Sequence, residues 1–429
     1  MQNKENLSFL ITFLGCKVNS YEVECVANDL EKKGYHNFNL NEDEYPSVII
    51  INTCAVTKTS ESKSNRSIKK FRNDYPNSII VVMGCFSKLN KDICIESGAD
   101  IVIGTQKRND IFELINNYKT TKNKFIDNNE IQRSKEIYEN ISLSHYIYNT
   151  RAFVKIQDGC DNFCTYCIIP FLRGKSRSRK KEDVLNEIRT LVNNDYKEIV
   201  LTGIDTASYG LDLYENYNFS DLLEDILNEN PNLYRLRISS IEESQIDDKF
   251  IMLLKKYPNI ADHLHIPLQS GSSKILELMH RKYDLEAFYS KIEKIRKVRP
   301  FMSFTTDVIV GFPDETEENF LETYDFIKKI NFSKVHVFPY SIREGTLAAK
   351  FKNQVNPNIK KERVNKLIEL SNELSKKYNE QFYNKEIEFL FENEKKNKYI
   401  GHSSNFLEVS IESEEELNGK IKTVIYKEN

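Results

Sequence analysis

The sequence contains no apolar stretch that could cross a membrane, since a spanning helix needs roughly 18 to 20 apolar residues and no run approaches that length. The short apolar run LSFLITFLGC near the N-terminus lacks two features of a leader. No net positive charge precedes it, and no small-residue cleavage site follows it. We therefore expect a cytoplasmic protein with no membrane partner.

A strong net charge is also missing. The 429 residues carry a formal net charge of −3, so any contact with a polyanion has to come from a local group of cations. Neither G-x-G-x-x-G nor G-x-x-x-x-G-K-[ST] occurs, which leaves dinucleotide-binding and nucleotide-hydrolysing functions without a motif. No Ser/His/Asp arrangement is recognisable either.

Eight cysteines in a chain without a recognisable leader favour a reducing compartment, where closely spaced thiols are usually metal ligands or redox groups. Cys25 and Cys94 fall inside helical patterns beside apolar neighbours, so we expect both to be small buried core residues. The other six cysteines form two groups of three.

The first group belongs to a predicted N-terminal α/β domain, residues 1–115. Short apolar runs alternate there with helical patterns, which indicates βαβ units and a parallel sheet. Cys16, Cys54 and Cys85 each follow a predicted strand. The carboxyl ends of such strands share the sheet edge where ligands bind, with neighbouring strands about 4.8 Å apart. We therefore expect these three thiols to converge.

A polar stretch, 116–145, predicts a linker, and a second α/β domain follows at 146–378. Six βα units there predict a partial (β/α)6 barrel whose functional face lies at the carboxyl ends of the strands. A long helix over 359–383 leads to a small β-domain, 379–429. The predicted barrel strands are AFVKIQ, EIVLTGI, RLRISSI, DHLHIPLQ, SFTTDVIVGF and KVHVFPYS, and those of the β-domain are EIEFLFE, FLEVSIE and KIKTVIY.

The second group of cysteines, Cys160, Cys164 and Cys167, lies in the stretch DGCDNFCTYCIIP, directly after the first barrel strand. A structural zinc site takes four ligands, commonly as two C-x-x-C pairs, and no second pair is present. A C-x-x-x-C-x-x-C loop instead suits a four-iron cluster held by three thiolates, which leaves one iron open to another ligand.

This loop at the mouth of a six-unit barrel resembles the radical S-adenosylmethionine enzymes. Motifs over nearly the whole chain are similar to those of the methylthiotransferases: LGCKVNSYE, INTCAVT, MGC, QDGCDNFCTYCIIPFLRGKSRSR, LTGID, HLHIPLQSGS, TTDVIVGFP and HVFPYSIREGT. GCKVN followed by NTCAVT is typical of members that act on threonylcarbamoyladenosine in transfer RNA, whereas isopentenyladenosine relatives read GCQMN and ribosomal-protein relatives GCPKN. GCFSK at Gly84–Lys88 departs from the Ala-Gln that commonly follows the aromatic residue.

The resemblance implies two [4Fe–4S] clusters and S-adenosylmethionine as cofactors. Cys160, Cys164 and Cys167 would hold the cluster that binds S-adenosylmethionine, and Cys16, Cys54 and Cys85 an auxiliary cluster whose open iron binds sulfur. One S-adenosylmethionine molecule would methylate that sulfur, and another would supply the radical that removes hydrogen from C2 of the adenine. The resemblance also implies a flavodoxin- or ferredoxin-like electron donor, a sulfur donor and a monomeric enzyme.

Other cofactor contacts are expected at the barrel mouth. Tyr166 resembles the family's aromatic residue beside the adenine of S-adenosylmethionine, with packing against the barrel as the alternative. His263 and His265 should point to one side of their strand as lumen residues without a metal. The resemblance assigns further contacts to residues at strand ends, where a lone glycine is otherwise more often a turn: Gly203, Ser239, Ser240, Gln269, Ser270, Gly271, Ile309 and Gly311.

Contacts with RNA are expected from the segment Arg173–Lys181, which has six cations and no acid. Arg173, Lys175, Arg177 and Arg179 would bind phosphates of an anticodon stem-loop, with an ordinary solvated surface as the alternative. The C-terminal β-domain resembles the RNA-binding TRAM domain. It contains seven Lys or Arg and eleven Asp or Glu, and this negative net charge disfavours binding to RNA. A packing role is therefore the alternative.

The sequence thus predicts a radical enzyme that methylthiolates threonylcarbamoyladenosine at position 37 of transfer RNA. Two alternatives stay open. The substrate could be another modified adenosine or a ribosomal-protein residue, or the chain could be an iron–sulfur or zinc protein that binds RNA without turnover.

Overall fold

A computed structural model of the chain describes residues 7–40, 44–131, 137–147, 149–395 and 397–428. The fold divides into two compact units. The first comprises Met1–Tyr148, Asp158–Asp161 and Cys167–Arg179. The second comprises Asn149–Gln157, Asn162–Tyr166 and Lys180–Asn429.

The first unit is built on a six-stranded sheet in the order β2-β1-β3-β4-β5-β6, and every neighbouring pair is parallel. This confirms the predicted N-terminal α/β fold. Its elements are β1 (Ser8–Phe13), α1 (Lys17–Lys32), β2 (His36–Asn37), β3 (Val48–Thr53), α2 (Lys58–Asp74), β4 (Ile79–Gly84), α3 (Cys85–Leu89), α4 (Lys91–Glu96), β5 (Ile101–Val102), α5 (Ile111–Thr121) and β6 (Phe125–Ile126).

Helices cover both faces of this sheet. Strands β3 and β4 are buried at every position, which is typical of central strands in a parallel sheet. Side chains on one face pack with α1 and α5, and those on the other face pack with α2 and α4. Cys25 in α1 and Cys94 in α4 are both buried, as predicted.

The stretch predicted as a linker belongs in its described parts to the first unit. Strand β6 extends the sheet within it. Farther along, the Tyr21 hydroxyl donates to the Ile141 carbonyl at 2.8 Å, and the Asn28 amide donates to the His145 carbonyl at 2.8 Å. Composition does not reveal these attachments, because they use backbone carbonyls. Part of this stretch, 132–136, lies outside the described residues.

The barrel contains all six predicted strands, β7, β10, β11, β12, β13 and β14. Neighbours pair in parallel as β7-β10-β11 and β12-β13-β14, and a bridge between Leu236 and Ile260 joins the two halves. The elements of this region are β7 (Ala152–Lys155), β8 (Gln157–Asp158), α6 (Ile169–Arg173), β9 (Arg177–Ser178), α7 (Lys181–Asn193), β10 (Glu198–Thr202), α8 (Phe219–Glu229), β11 (Arg235–Ile238), α9 (Asp248–Lys256), β12 (His263–His265), α10 (Ser273–Leu278), α11 (Leu285–Val298), β13 (Ser303–Val310), α12 (Glu317–Ile330) and β14 (Lys334–Pro339).

The predicted long helix is α13 (Pro357–Glu380), and the C-terminal β-domain follows it. Its strands are β15 (Glu386–Lys395), β16 (Lys398–His402), β17 (Glu408–Glu412) and β18 (Ile421–Ile425), antiparallel in the order β17-β16-β15-β18. The sequence analysis missed β16, a short strand interrupted by Gly401. The Phe391 ring explains this glycine, because a Cβ at Gly401 would lie 2.7 Å from it.

A buried ionic cluster connects the barrel to the β-domain within the second unit. Glu198 on β10 pairs with Arg235 and Arg237 on β11 at 3.0 and 2.7 Å. The Arg237 guanidinium also donates to the Ser403 carbonyl of the β-domain at 3.0 Å. These contacts support a packing role for the domain. None of the helices in the described part of the chain is long and apolar enough to cross a membrane.

Candidate active site

Three cysteines of the first unit lie at the predicted edge of its sheet. Cys16 follows the loop after β1, Cys54 follows β3, and Cys85 begins α3 directly after β4. Gly15 has a φ of +108°, and a Cβ there would lie 2.9 Å from the Cys54 sulfur. Glycine therefore lets the loop that carries Cys16 approach Cys54 closely.

A buried guanidinium accompanies these thiols. Arg173 is 1% exposed, and its Nη2 donates to Asn19 Oδ1 at 3.1 Å, while the Cys16 thiol donates to the same oxygen at 3.6 Å. Burial raises the pKa of the Cys85 thiol to about 11, and the positive charge of Arg173 opposes that rise. Cys16 and Cys54 also contribute to the rise through charge repulsion. The three thiols and Arg173 therefore share one electrostatic environment.

The chemistry of this donor set fits an iron–sulfur cluster. Three cysteine thiolates can hold such a cluster, and the neighbouring guanidinium offsets part of its negative charge. Within the described ranges, no three Cys, His, Asp or Glu side chains already surround a common point at metal-bonding distance. Ligation would therefore involve rotation of the thiols about their side-chain torsions.

The first part of the other cysteine loop is held in the first unit. The Cys160 amide donates to the Gly174 carbonyl at 3.1 Å. Gly159 has a φ of +73°, and a Cβ there would lie 1.9 Å from the Lys175 carbonyl oxygen. Only glycine fits this close approach, which holds Cys160 against the segment that follows Cys167.

The middle of the loop, 162–166, is anchored in the second unit. The Thr165 amide and hydroxyl donate to the carbonyls of Met279 and Leu278 at 3.1 and 2.8 Å, and its own carbonyl accepts from the Ala348 amide. Tyr166 packs against the apolar cluster around Met279 together with Ile309. Tyr166 and Ile309 therefore pack within the second unit, and their contact with S-adenosylmethionine stays a prediction.

A cavity of about 220 Å³ opens beside Cys164 in the second unit. Arg281 Nη1 lies 3.7 Å from the Cys164 sulfur, and Nη2 of the same side chain forms an ion pair with Glu242. Asp205 accepts a hydrogen bond from the Asn162 amide at 3.0 Å. The walls come from the segments after β8, β10 and β11 and from the loop after α10, so the cavity lies beside the carboxyl ends of β10 and β11, where the sequence predicted the site.

Of the predicted cofactor contacts, only the cysteine loop reaches this cavity through Cys164. Gly203, Ser239 and Ser240 lie at the ends of β10 and β11, as expected. Gln269 has a φ of +61°, and its amide donates to the Asp307 carbonyl at 2.8 Å.

Three predicted contacts have partners within the protein, and their contact with a cofactor stays a prediction. Ser270 is 1% exposed, and its hydroxyl lies 3.2 Å from that of Thr323 on α12. A Cβ on Gly271 would lie 2.8 Å from Thr323 Cα, so Gly271 permits the close approach of that helix. The Gly311 amide donates to the Glu315 carboxylate.

The sequence analysis missed Asp205, Glu242 and Arg281. A signal for the two acids was available, because each lies two residues beyond a predicted site residue, in LTGID and in SSIE. Arg281 follows α10 with no local pattern that marks it.

The predicted RNA contacts need correction. Arg173, Arg177 and Arg179 are 1%, 3% and 1% exposed, and so cannot present a phosphate-binding surface in this conformation. Arg177 lies 3.5 Å from the Asp158 carboxylate, and Arg179 donates to the Tyr21 hydroxyl at 3.1 Å. The local sequence shows a run of cations but does not show that Asp158 and Tyr21 are their partners in the fold. Lys175 is only partly buried, and its phosphate contact stays a prediction.

The two histidines of β12 point to one side of the strand, as predicted. His263 Nε2 and His265 Nδ1 lie 3.0 and 2.9 Å from the same Thr305 hydroxyl oxygen. His265 also lies 3.3 Å from the Asp307 carboxylate. Contacts with Thr305 and Asp307 therefore explain why both histidines face the same side of β12.

Comparison with known proteins agrees with this architecture. Residues 8–104 match the uncharacterized protein family UPF0004, and residues 154–327 match the radical SAM superfamily. The chain is 42% identical, over 96% of its length and 92% of the relative, to the threonylcarbamoyladenosine tRNA methylthiotransferase MtaB of Bacillus subtilis. The chain belongs to the radical S-adenosylmethionine methylthiotransferase family.

Other methylthiotransferases are similar over most of their length. The MtaB protein of Thermotoga maritima is 37% identical over 89% of this chain and 86% of its own. The tRNA-2-methylthio-N(6)-dimethylallyladenosine synthase of Bacillus subtilis is 35% identical over 97% of this chain and 82% of its own. Among solved structures, the radical S-adenosylmethionine methyltransferase TsrM of Kitasatospora setae covers 78% of this chain and 72% of its own with a TM-score of 0.57 and 13% identity, a likeness of fold alone.

Proposed function

We propose that this protein is a transfer-RNA methylthiotransferase that converts N6-threonylcarbamoyladenosine at position 37 to its 2-methylthio derivative. The observation that carries this proposal is the 42% identity to a threonylcarbamoyladenosine tRNA methylthiotransferase over nearly the full length of both chains. The GCKVN and NTCAVT motifs, with Cys16 and Cys54 at one sheet edge, point to the same substrate.

Two groups of cysteines fit two [4Fe–4S] clusters. Cys160, Cys164 and Cys167 would hold the cluster that takes S-adenosylmethionine, and Cys16, Cys54 and Cys85 would hold the auxiliary one. When bound, these cofactors supply the radical and sulfur chemistry that carboxylates and imidazoles cannot supply at an unreactive C–H bond.

The protein's own residues orient these groups. Arg281 places a fixed positive charge 3.7 Å from the Cys164 sulfur, and Glu242 holds its guanidinium in place. Asp205 and Glu242 present carboxylates to the cavity, which suit the ammonium and hydroxyl groups of S-adenosylmethionine. Arg173 performs the corresponding electrostatic role beside Cys16 and Cys85 in the first unit.

The remaining partners belong to the same proposal. Transfer RNA is the substrate, recognised at the anticodon stem-loop, and a sulfur donor and a flavodoxin- or ferredoxin-like protein supply sulfur and electrons. The enzyme acts as a monomer in the cytoplasm. Dimethylallyladenosine is the second candidate substrate, because synthases that act on it are up to 37% identical over nearly the whole chain.

Expression in a bacterial strain that lacks its own methylthiotransferases tests this proposal. We expect nucleosides from the transfer RNA of that strain to contain 2-methylthio-threonylcarbamoyladenosine and no methylthio-dimethylallyladenosine. The Cys160→Ala variant, expressed at the same level, is the control and should form neither. Methylthiolation of dimethylallyladenosine alone would transfer the assignment to the second candidate.

A further inference from the structure

Helix α2 of the first unit carries a continuous basic face. It packs on the sheet through Ser64 and Ile68, which are both buried. At about 100° per residue, five cations of the helix fall within an arc of roughly 140° on the opposite side. The acids Glu61 and Asp74 fall outside that arc. We call this surface the α2 basic face, and its cations are Lys58, Lys63, Arg66, Lys69 and Lys70.

All five side chains are exposed, and none forms a hydrogen bond or ion pair within the described part of the chain. Some cations on other helices are paired. Lys249 on α9 contacts Asp221, and Lys366 on α13 contacts Glu362. Arg72 of α2 itself points away from the face and pairs with Asp100. The α2 basic face is therefore a concentration of uncompensated charge on a protein whose net charge is −3.

The α2 basic face begins beside the auxiliary cysteines. Lys58 follows Cys54 by four residues, and Thr57 caps the helix by accepting from the Ser60 amide at 3.1 Å. Lys70 lies twelve residues farther along, at about 18 Å for a rise of 1.5 Å per residue. This length suits several phosphates along one strand of an RNA stem. The face thus leads away from the sheet edge where Cys16, Cys54 and Cys85 lie.

We propose that the α2 basic face binds the phosphate backbone of the transfer RNA substrate. The inference rests on the proposed function for the identity of the RNA. Phosphate contacts position a nucleic acid without reading its sequence, and release of counterions from the RNA makes them favourable. The arginines of the segment Arg173–Arg179 are buried. We therefore assign the phosphate contacts of the first unit to the α2 basic face and not to that segment.

A variant that lacks four of the five positive charges tests this surface. Lys63→Gln, Arg66→Gln, Lys69→Gln and Lys70→Gln are combined, because glutamine keeps the helix propensity while it removes four charges. The matched control combines Lys297→Gln, Lys328→Gln, Lys361→Gln and Lys377→Gln, four exposed lysines on α11, α12 and α13 without ion pairs in the described chain. Iron content and melting temperature check that both variants fold like the wild type.

Binding of bacterial transfer RNA that carries unmethylthiolated threonylcarbamoyladenosine is measured by fluorescence anisotropy at several salt concentrations. We expect the α2 variant to bind about tenfold more weakly or worse, with the salt slope reduced by about 0.7 to 0.9 for each phosphate that the variant no longer neutralises. The control should keep most of the affinity and the slope.

Product formation in the same samples separates this proposal from the proposed function. If the wild type forms methylthio product while the α2 variant keeps the wild-type affinity and slope, the surface assignment is wrong and the function stands. An equal loss of affinity in the control also rejects the surface. If the wild type neither binds nor modifies the RNA, both proposals are wrong.

Discussion

Arg173 and Glu22 form an ion pair of 2.9 Å in which neither side chain is accessible to solvent. Glu22 lies on α1, six residues after Cys16, and Arg173 lies six residues after Cys167. The same guanidinium nitrogen lies 2.9 Å from Asp158, two residues before Cys160. Within the first unit, one buried cation therefore connects the helix that follows Cys16 with the residues that flank Cys160 and Cys167.

Replacement of this cation should destabilise the first unit. Arg173→Met leaves Glu22 and Asp158 buried with fewer positive partners, and removal of one member of a buried pair typically costs about 3 kcal/mol or more. Chemical denaturation followed by circular dichroism measures the change in stability. Arg189→Met removes an exposed pair with Glu229 and should cost less than about 1 kcal/mol. Equal stability of the two variants would contradict the structural role of Arg173.

The two cysteine groups should have separable roles. Alanine at Cys160, Cys164 or Cys167 should abolish the release of deoxyadenosine from S-adenosylmethionine. Alanine at Cys54 should preserve that release and prevent sulfur insertion. Each variant should also retain about half of the iron of the reconstituted wild type, because each group would hold one of two clusters. Cys94→Ala, a buried core thiol, is the control and should retain all of the iron.

Arg281 should tune the reduction potential of the cluster that Cys164 would hold. Hydrogen bonds and positive charge near a cysteine sulfur stabilise the reduced state of an iron–sulfur cluster. Arg281→Met removes a donor 3.7 Å from the Cys164 sulfur, so we expect a more negative reduction potential, measured by redox titration with electron paramagnetic resonance. Arg281→Lys should recover part of the shift. A potential equal to that of the wild type in the methionine variant would show that Arg281 acts only through packing.

Glu198 should make the second unit sensitive to acid. Burial alone would raise the pKa of its carboxyl group, but Arg237 and Arg235 outweigh that effect and lower the pKa from 4.5 to about 2. The folded-state pKa is depressed, so the stabilisation is present above pH 4.5 and is lost as the pH falls toward 2. It amounts to about 3 kcal/mol at neutral pH.

Glu198→Gln should remove this contribution. We expect urea denaturation at pH 7 to show a clear decrease in stability, together with a weaker dependence on pH between about 5 and 3. Glu229→Gln, at an exposed carboxylate, is the control and should change neither. A wild-type pH dependence in the Glu198→Gln variant would show that other groups cause the acid sensitivity.

The sequence predicted the strands well because of their local patterns. β3 begins with four apolar residues and β4 with five, and the six barrel strands repeat with amphipathic helices between them. The attachments within the described parts of the predicted linker could not be predicted, because contacts such as Tyr21 to the Ile141 carbonyl join residues 120 positions apart. Composition carries no information about such partners.

The part of the candidate site that the sequence predicted is the part marked by the spacing of the cysteines. Each cysteine group begins within one to three residues of the end of a strand, so both groups could be predicted from the sequence. The function of Arg173 could not, because its partner Glu22 lies 151 residues away in the sequence. The same limit applies to Arg281, whose closeness to Cys164 depends on the packing of the loop after α10.

The central claim is the reaction on threonylcarbamoyladenosine. The most direct measurement is mass spectrometry of nucleosides from transfer RNA that lacks the 2-methylthio group, after anaerobic incubation with the reconstituted enzyme, a reductant, sulfide and S-adenosylmethionine. We predict conversion of threonylcarbamoyladenosine to its 2-methylthio derivative together with the release of deoxyadenosine. Release of deoxyadenosine with unchanged threonylcarbamoyladenosine would contradict the assigned substrate.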